Sequence, residues 1–245
     1  MNTFLLTSGE DIPFTECQLI FHQPKIKELS LVGSEEELLQ FWDLINFSKD
    51  KLKDKAKVNL DSISNFNIIM TIMQEDENKK IYFENILYLL VPDAKAIHFM
   101  PNAILIIKAN EGMEDTLHNI NEENFESFKE IINYIFDISQ IKKEEIEYDP
   151  ANETARKIAE KIKRGREKIA AQKKADNNGP TEIFGRYIRI LSVGMNIDFR
   201  IFLEYTVYQL FTVFKTFEKK YAYDIYLKAQ LAGASGMKEV KHWME

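Results

Sequence analysis

Apolar positions along the chain keep two different beats, and each change of beat marks an element. In the first thirty-odd residues the alternation is weak: CQLIFHQ, then Pro24, then KIKELSLVG, with Ile26, Leu29 and Leu31 lining one half-buried surface. This predicts two short strands with Pro24 at an edge or turn. Past Gly33 the beat becomes helical. Ser34 and Glu37 fit a capping box, in which the hydroxyl accepts an orphan N–H and the carboxylate reaches back, and Leu38, Phe41, Trp42 and Ile45 follow at helical spacing.

A lysine-rich connector, KDKLKDKAK, precedes two core helices: one with the stripe Ile63, Phe66, Ile69, Met70 and Met73, the other running from Ile81 to Val91 before Pro92. AIHFMP and AILIIKA, hinged on Pro101 and Asn102, predict a hairpin. NINEENFESFKEIINYIFDIS predicts an amphipathic helix with Asn121 as its N-cap. Pro150 marks a boundary, because the residue before a proline is pushed out of helical geometry while proline suits a first helical turn. Beyond it come a charged helix, the turn DNNGP at 176–180, and a helical set. The set comprises TEIFGRYIRILSVG, a long DFRIFLEYTVYQLFTVFKTFEKKY capped by Asp198, AYDIYLKAQLAGA ended by Gly233 and Gly236, and a closing KEVKHWME. The expected fold is therefore α+β and predominantly helical: an α+β domain over 1–149, a basic connecting helix over 150–175 and an all-helical C-terminal domain over 176–245. No internal repeat has a solenoid-like period.

Composition narrows the class. The chain has 245 residues, 45% hydrophobic and 29% charged, the balance of a folded protein rather than a disordered one. A single cysteine, Cys17, excludes an internal disulfide, and the four histidines lack the paired spacing of a zinc site. No basic leader and no run of about 20 apolar residues appears, so the expected location is the cytosol, away from membranes.

Charge is unevenly placed. Residues 151–175 hold nine Lys or Arg against three Glu, a net +6 within a chain of −7, so the remainder carries −13. In RKIAEKIKRGREKIAAQKK, Arg156, Lys157, Lys161, Lys163, Arg164, Arg166 and Lys168 surround a narrow stripe of Ala155, Ile158, Ala159, Ile162, Ile169 and Ala170. Three readings stand side by side: a solvated helix packed on its own domain, a helix docked on an acidic partner or second subunit, and a phosphate-contacting stripe on nucleic acid. The acidic whole and the lack of an aromatic residue to stack on a base weigh against the third.

The second constellation is aromatic. Tyr205, Tyr208, Phe211, Phe214, Phe217, Tyr221 and Tyr223 recur mostly at spacings of three, with Val207, Leu210 and Val213 between them. Such a stripe belongs to a core, and its surplus face suits an oligomer interface, for which Tyr205 and Tyr208 are candidates. Trp243 is either an anchor on its own domain or a binding handle. No Gly-rich phosphate loop, GxSxG, HExxH or CxxC is present, so neither a cofactor nor a metal is expected and enzymatic function is the weaker class.

Three stretches carry a resemblance: HQPKIKELSLVGSEEELLQFWDLI at 22–45, AEKIKRGREKIA at 159–170, and YTVYQLFTVFKTFEKKYAYDIYLKAQLAGASGMKEVKHWME at 205–245. Together they resemble a group of bacteriophage tail-morphogenesis and virion proteins. The resemblance implies a non-enzymatic role in building a phage particle, as a tail-assembly chaperone in the host cytoplasm or a tail or baseplate component of the virion. Its partners would be tail or other virion proteins, in a homo-oligomer or hetero-complex. A nucleic-acid-associated phage protein using the basic helix at 155–174 is the alternative.

Overall fold

The computed structural model describes residues 3–49, 63–109, 114–136, 183–233 and 240–244. The connector after Lys49, the basic helix, the boundary at Pro150, DNNGP and Gly236 lie outside these residues.

A short helix α1 (Thr3–Ser8) leads into a two-stranded antiparallel ribbon, β1 (Ile12–Phe14) and β2 (Leu19–Phe21), joined through a 3-10 turn. Ile12, Phe14, Leu19 and Phe21 turn inward while their neighbours face out, so a strand of only three residues still contributes two buried side chains. β2 was legible as a strand; the second expected strand is a helix, α2 (Ile26–Val32). Ile26 and Leu29, three apart, are buried together, and Glu28 reaches back to accept the Lys25 N–H at 2.8 Å. Leu31, expected on the same surface, points away at 85% exposure. Three apolar residues at steps of three and two satisfy either period, and the Glu28 carboxylate on the Lys25 N–H decides for the helix.

Helix α3 (Glu35–Ile45) begins as expected: the Ser34 hydroxyl accepts the Glu37 N–H at 3.3 Å and the Glu37 carboxylate accepts the Ser34 N–H at 2.7 Å. Helices α4 (Asn65–Glu75) and α5 (Glu77–Leu90) follow, capped by Ser64 and Asp76. The hairpin is present as β3 (Ala94–Met100) and β4 (Ala103–Lys108), and a third strand, β5 (Thr116–Asn121), pairs antiparallel with β4 in unbroken register. Asn121 is thus the last residue of a strand and no helix cap. Helix α6 (Phe125–Phe136) starts one turn later, after Asn124 has accepted the Asn121 N–H at 2.9 Å.

The C-terminal stretch folds into α7 (Phe184–Met195), α8 (Phe199–Leu203) and α9 (Val207–Leu231). The long helix expected from Asp198 onward is broken at 204–206. Asp198 does cap α8, but the Tyr205 carbonyl is taken by the Ile26 N–H, and Thr206 starts α9 with a capping box of its own. Its hydroxyl accepts the Gln209 N–H at 3.2 Å, and the Gln209 side chain accepts the Thr206 N–H at 2.9 Å. α9 then runs without interruption through AYDIYLKAQL to Gly233, which turns out of the helix with φ +83. Val240–Met244, expected as a closing helix, is not helical.

The buried side chains form one cluster drawn from both ends of the chain, from Leu6 to Phe136 and from Phe184 to Phe214. Phenylalanines dominate it: Phe14 stacks on Phe21 at 5.6 Å, Phe41 meets Phe83 edge-on at 4.9 Å, and Phe184 packs on Phe211 at 6.0 Å. Burial along α9 ends at Phe214, leaving its second half as an arm beyond the core.

Candidate partner-binding cleft at the seam

The two longest stretches that carry the resemblance, 22–45 and 205–245, meet in space. Lys25 and Thr206 form an isolated antiparallel bridge, and the Ile26 N–H donates to the Tyr205 carbonyl at 2.9 Å. Glu204 receives Lys27 at 2.6 Å and Lys25 at 3.1 Å, and these two ammonium groups hold its carboxyl below the ordinary range. Gln23, 1% exposed, donates its amide to the Leu5 carbonyl at 2.8 Å and the Glu10 carbonyl at 2.5 Å, closing the N-terminal loop over the ribbon. Gln209 donates to the Thr7 carbonyl at 2.8 Å, so α9 is bound to α1 as well.

Glu35 completes the seam. Helix α7 starts at Ile183, which has no side-chain acceptor for the orphan N–H groups. The Glu35 carboxylate, from the first turn of α3, accepts them instead: from Ile183, from Phe184 at 2.9 Å and from Gly185 at 3.4 Å. One anion therefore sits where two helix N-termini converge, an arrangement the helix dipoles favour from both sides.

Beside this carboxylate lies a cleft of about 320 Å³ between α2, α3, α5, α7 and α8. Its walls are apolar, chiefly Ile26, Leu29, Val32, Leu38, Ile86, Phe184, Ile188 and Leu203. Lys27, Ser30, Ser34, Glu35, Glu37 and Tyr82 supply the polar groups of its lining. Apolar walls carrying a few polar groups accept a buried side chain and orient what carries it.

A second polar constellation lies at the ribbon. The His22 ring stands between Asp11 (Nδ1 to Oδ1, 3.1 Å) and Glu28 (Nε2 to Oε2, 3.1 Å). Burial pushes the Glu28 carboxyl up, but the Lys25 N–H and the His22 ring outweigh it and leave it below the ordinary value. Cys17, buried, donates its thiol to the Asn119 carbonyl and accepts the Asn124 amide, both at 3.1 Å. Burial and the neighbouring Glu16 push that thiol up to about 11, despite the Asn124 hydrogen bond, which marks it as a structural residue.

The anticipated contact residues divide. Arg156, Lys157, Lys161, Lys163, Arg164, Arg166 and Lys168 lie outside the described residues. Tyr205 and Tyr208 are half-buried and packed against the chain's own core, with Tyr205 edge-on to Phe202 at 5.5 Å. Trp243 is half-buried and stacked on His242 at 5.8 Å, which itself meets Tyr223 of α9 edge-on at 4.9 Å. The cleft and the Glu35 cap went unnoticed in the sequence, where Glu35 is one of three consecutive glutamates in a helix's first turn and only Glu37 had a role.

Among the described residues, no group of three or more His, Cys, Asp or Glu is placed to hold a metal ion, and no helix is long and apolar enough to cross a membrane. No curated protein and no solved structure matches the chain. Residues 178–245, the stretch that holds α7, α8 and α9, match the family model described as the YomV second domain, a phage-associated domain family.

Proposed function

We propose that this chain is a non-enzymatic assembly protein of a phage particle, acting on tail proteins as a chaperone or as a tail or baseplate component. The observation that carries the reading is the seam cleft: apolar walls and a short set of polar groups, formed jointly by the N-terminal stretch and the phage-associated one. A cleft of about 320 Å³ takes one or two large apolar side chains of a partner segment, the type of buried anchor on which protein–protein affinity concentrates. Lys27 and Glu37, of opposite charge in its lining, complement a segment that carries both signs.

The test is co-expression of the full chain with tail-tube, tape-measure and baseplate proteins of the phage that encodes it. The expected outcome is co-purification with one of them, lost in Val32→Trp, which fills the cleft from a half-buried position, while the circular dichroism spectrum stays unchanged. Failure to retain any of these proteins, or retention indifferent to Val32→Trp, refutes the reading.

A further inference from the structure

The stripe of α9 that enters the core does not end where the core does. Val207, Phe211 and Phe214 are buried, and at steps of four and three the same phase continues through Glu218, Tyr221, Ile225, Ala229 and Ala232. Beyond Phe217 this phase lies open: Tyr221 is 59% exposed and Ile225 50%. At 1.5 Å per residue the arm from Phe217 to Leu231 is about 21 Å long. The described C-terminal residues do not cover it. They reach the arm through His242 on Tyr223, which lies about 200° around the helix from Ile225.

We infer that this face pairs with the same face of a second copy of the chain, as two antiparallel helices related by a two-fold axis through Ile225. The charge pattern selects this partner and orientation. An antiparallel pair brings the same flank of each helix together, so Asp224 of one copy meets Lys228 of the other, and the symmetry forms the ion pair twice. Across the opposite flank Ala222 meets Ala229, small residues that let the backbones approach closely. Tyr221 lies over the gap between Lys228 and Ala232 of the second copy. A parallel pair in register would bring opposite flanks together, setting Asp224 beside Ala229 of the second copy and forming no such ion pair. The base of the arm agrees with this arrangement. Gly194 of α7 lies so close to Phe217 that a Cβ there would come within 2.3 Å of the ring. That places the exposed Val193 and Met195 at the level the second copy's Leu231, itself 88% exposed, reaches. The pairing leaves the seam cleft free and does not depend on the function proposed for it.

The experiment is sedimentation of the full chain across a concentration series, together with single-cysteine crosslinking in a Cys17→Ser background. The wild type is expected as a dimer. Ile225→Asp and Asp224→Lys should each weaken dimerisation at least about tenfold, and Asp224→Lys with Lys228→Asp should restore it. A mixture of Ala222→Cys and Ala229→Cys chains should form the mixed disulfide in preference to either homodisulfide, a preference that a parallel pair, with these positions on opposite sides of the interface, would not show. A wild type that sediments as a monomer, a dimer indifferent to Ile225→Asp, or no preference for the mixed disulfide overturns the proposal. Unchanged thermal unfolding of the core, read by far-ultraviolet circular dichroism, shows that each variant tests the arm.

Discussion

Glu35→Ala removes the acceptor on which the start of α7 depends, and its cost follows from what the carboxylate touches. Three backbone N–H groups, of Ile183, Phe184 and Gly185, lose their partner, and among the described residues no side chain at the start of α7 replaces it. Losing an N-cap acceptor costs roughly 0.5–2 kcal/mol, and the charge at a helix N-terminus adds about 0.3–1 kcal/mol. Because these N–H groups are partly buried, water recovers only part of the loss, and about 2 kcal/mol is the expected destabilisation. For a chain of this size that lowers the midpoint by roughly 4–8 °C. Calorimetry and circular dichroism melts measure it against Glu36→Ala, an exposed neighbour in the same first turn that shares the dipole of α3 without being the cap of α7. Glu35→Gln, keeping a neutral acceptor, should fall between. If Glu35→Ala shifts the midpoint no further than Glu36→Ala, the cross-helix cap is not a stabilising contact and the seam rests on apolar packing alone.

Three further outcomes follow from local geometry. Gly194→Ala in the last turns of α7, normally worth up to about 1 kcal/mol in helix propensity, should instead destabilise by about 1–3 kcal/mol because its Cβ meets the Phe217 ring. The double variant with Phe217→Ala should cost less than the sum, as a thermal double-mutant cycle would read. Glu28 is held below its ordinary 4.5, so its stabilisation is complete above that value and is lost as pH falls through the folded value. Urea unfolding of Glu28→Gln and the wild type should therefore differ at pH 7 and converge towards pH 3. Cys17, raised from 9.0 to about 11, should react with iodoacetamide about a hundredfold more slowly at pH 8 than an ordinary thiol, with the normal rate returning in urea.

Local signals revealed the parts of the fold that local chemistry determines. Ser34 with Glu37, Asp198, the apolar stripe of α4 and the Pro101–Asn102 turn each lie within a few residues of their partners. β5 was hidden because TLHNIN shows too little apolar alternation; its place comes from pairing with β4, whose Ile104 and Ile106 are buried in the core. The break at 204–206 was hidden because the groups that cause it, the Ile26 N–H and the Lys25 and Lys27 ammonium groups, lie about 180 residues away. The same distance conceals the cleft, since its walls come from residues 26–38, 82–86 and 184–203 and no stretch of sequence contains them together. The aromatic stripe was legible as to its buried half, and the point where burial stops at Phe214 depends on where neighbouring elements end.

The joint between Lys25 and Thr206 also bears on inheritance. Residues 178–245 correspond to a recognisable family unit, yet α9 is fastened to α1 through Gln209, α8 to α2 through Tyr205, and α7 to α3 through Glu35. A recombination crossover near residue 178 would hand a genome the three C-terminal helices without the carboxylate, the lysines and the backbone donor that complete them. For such an exchange to yield a working protein, the recipient's N-terminal stretch must already present those groups at the same places. A unit of descent and a unit of folding can thus occupy different lengths of the same chain.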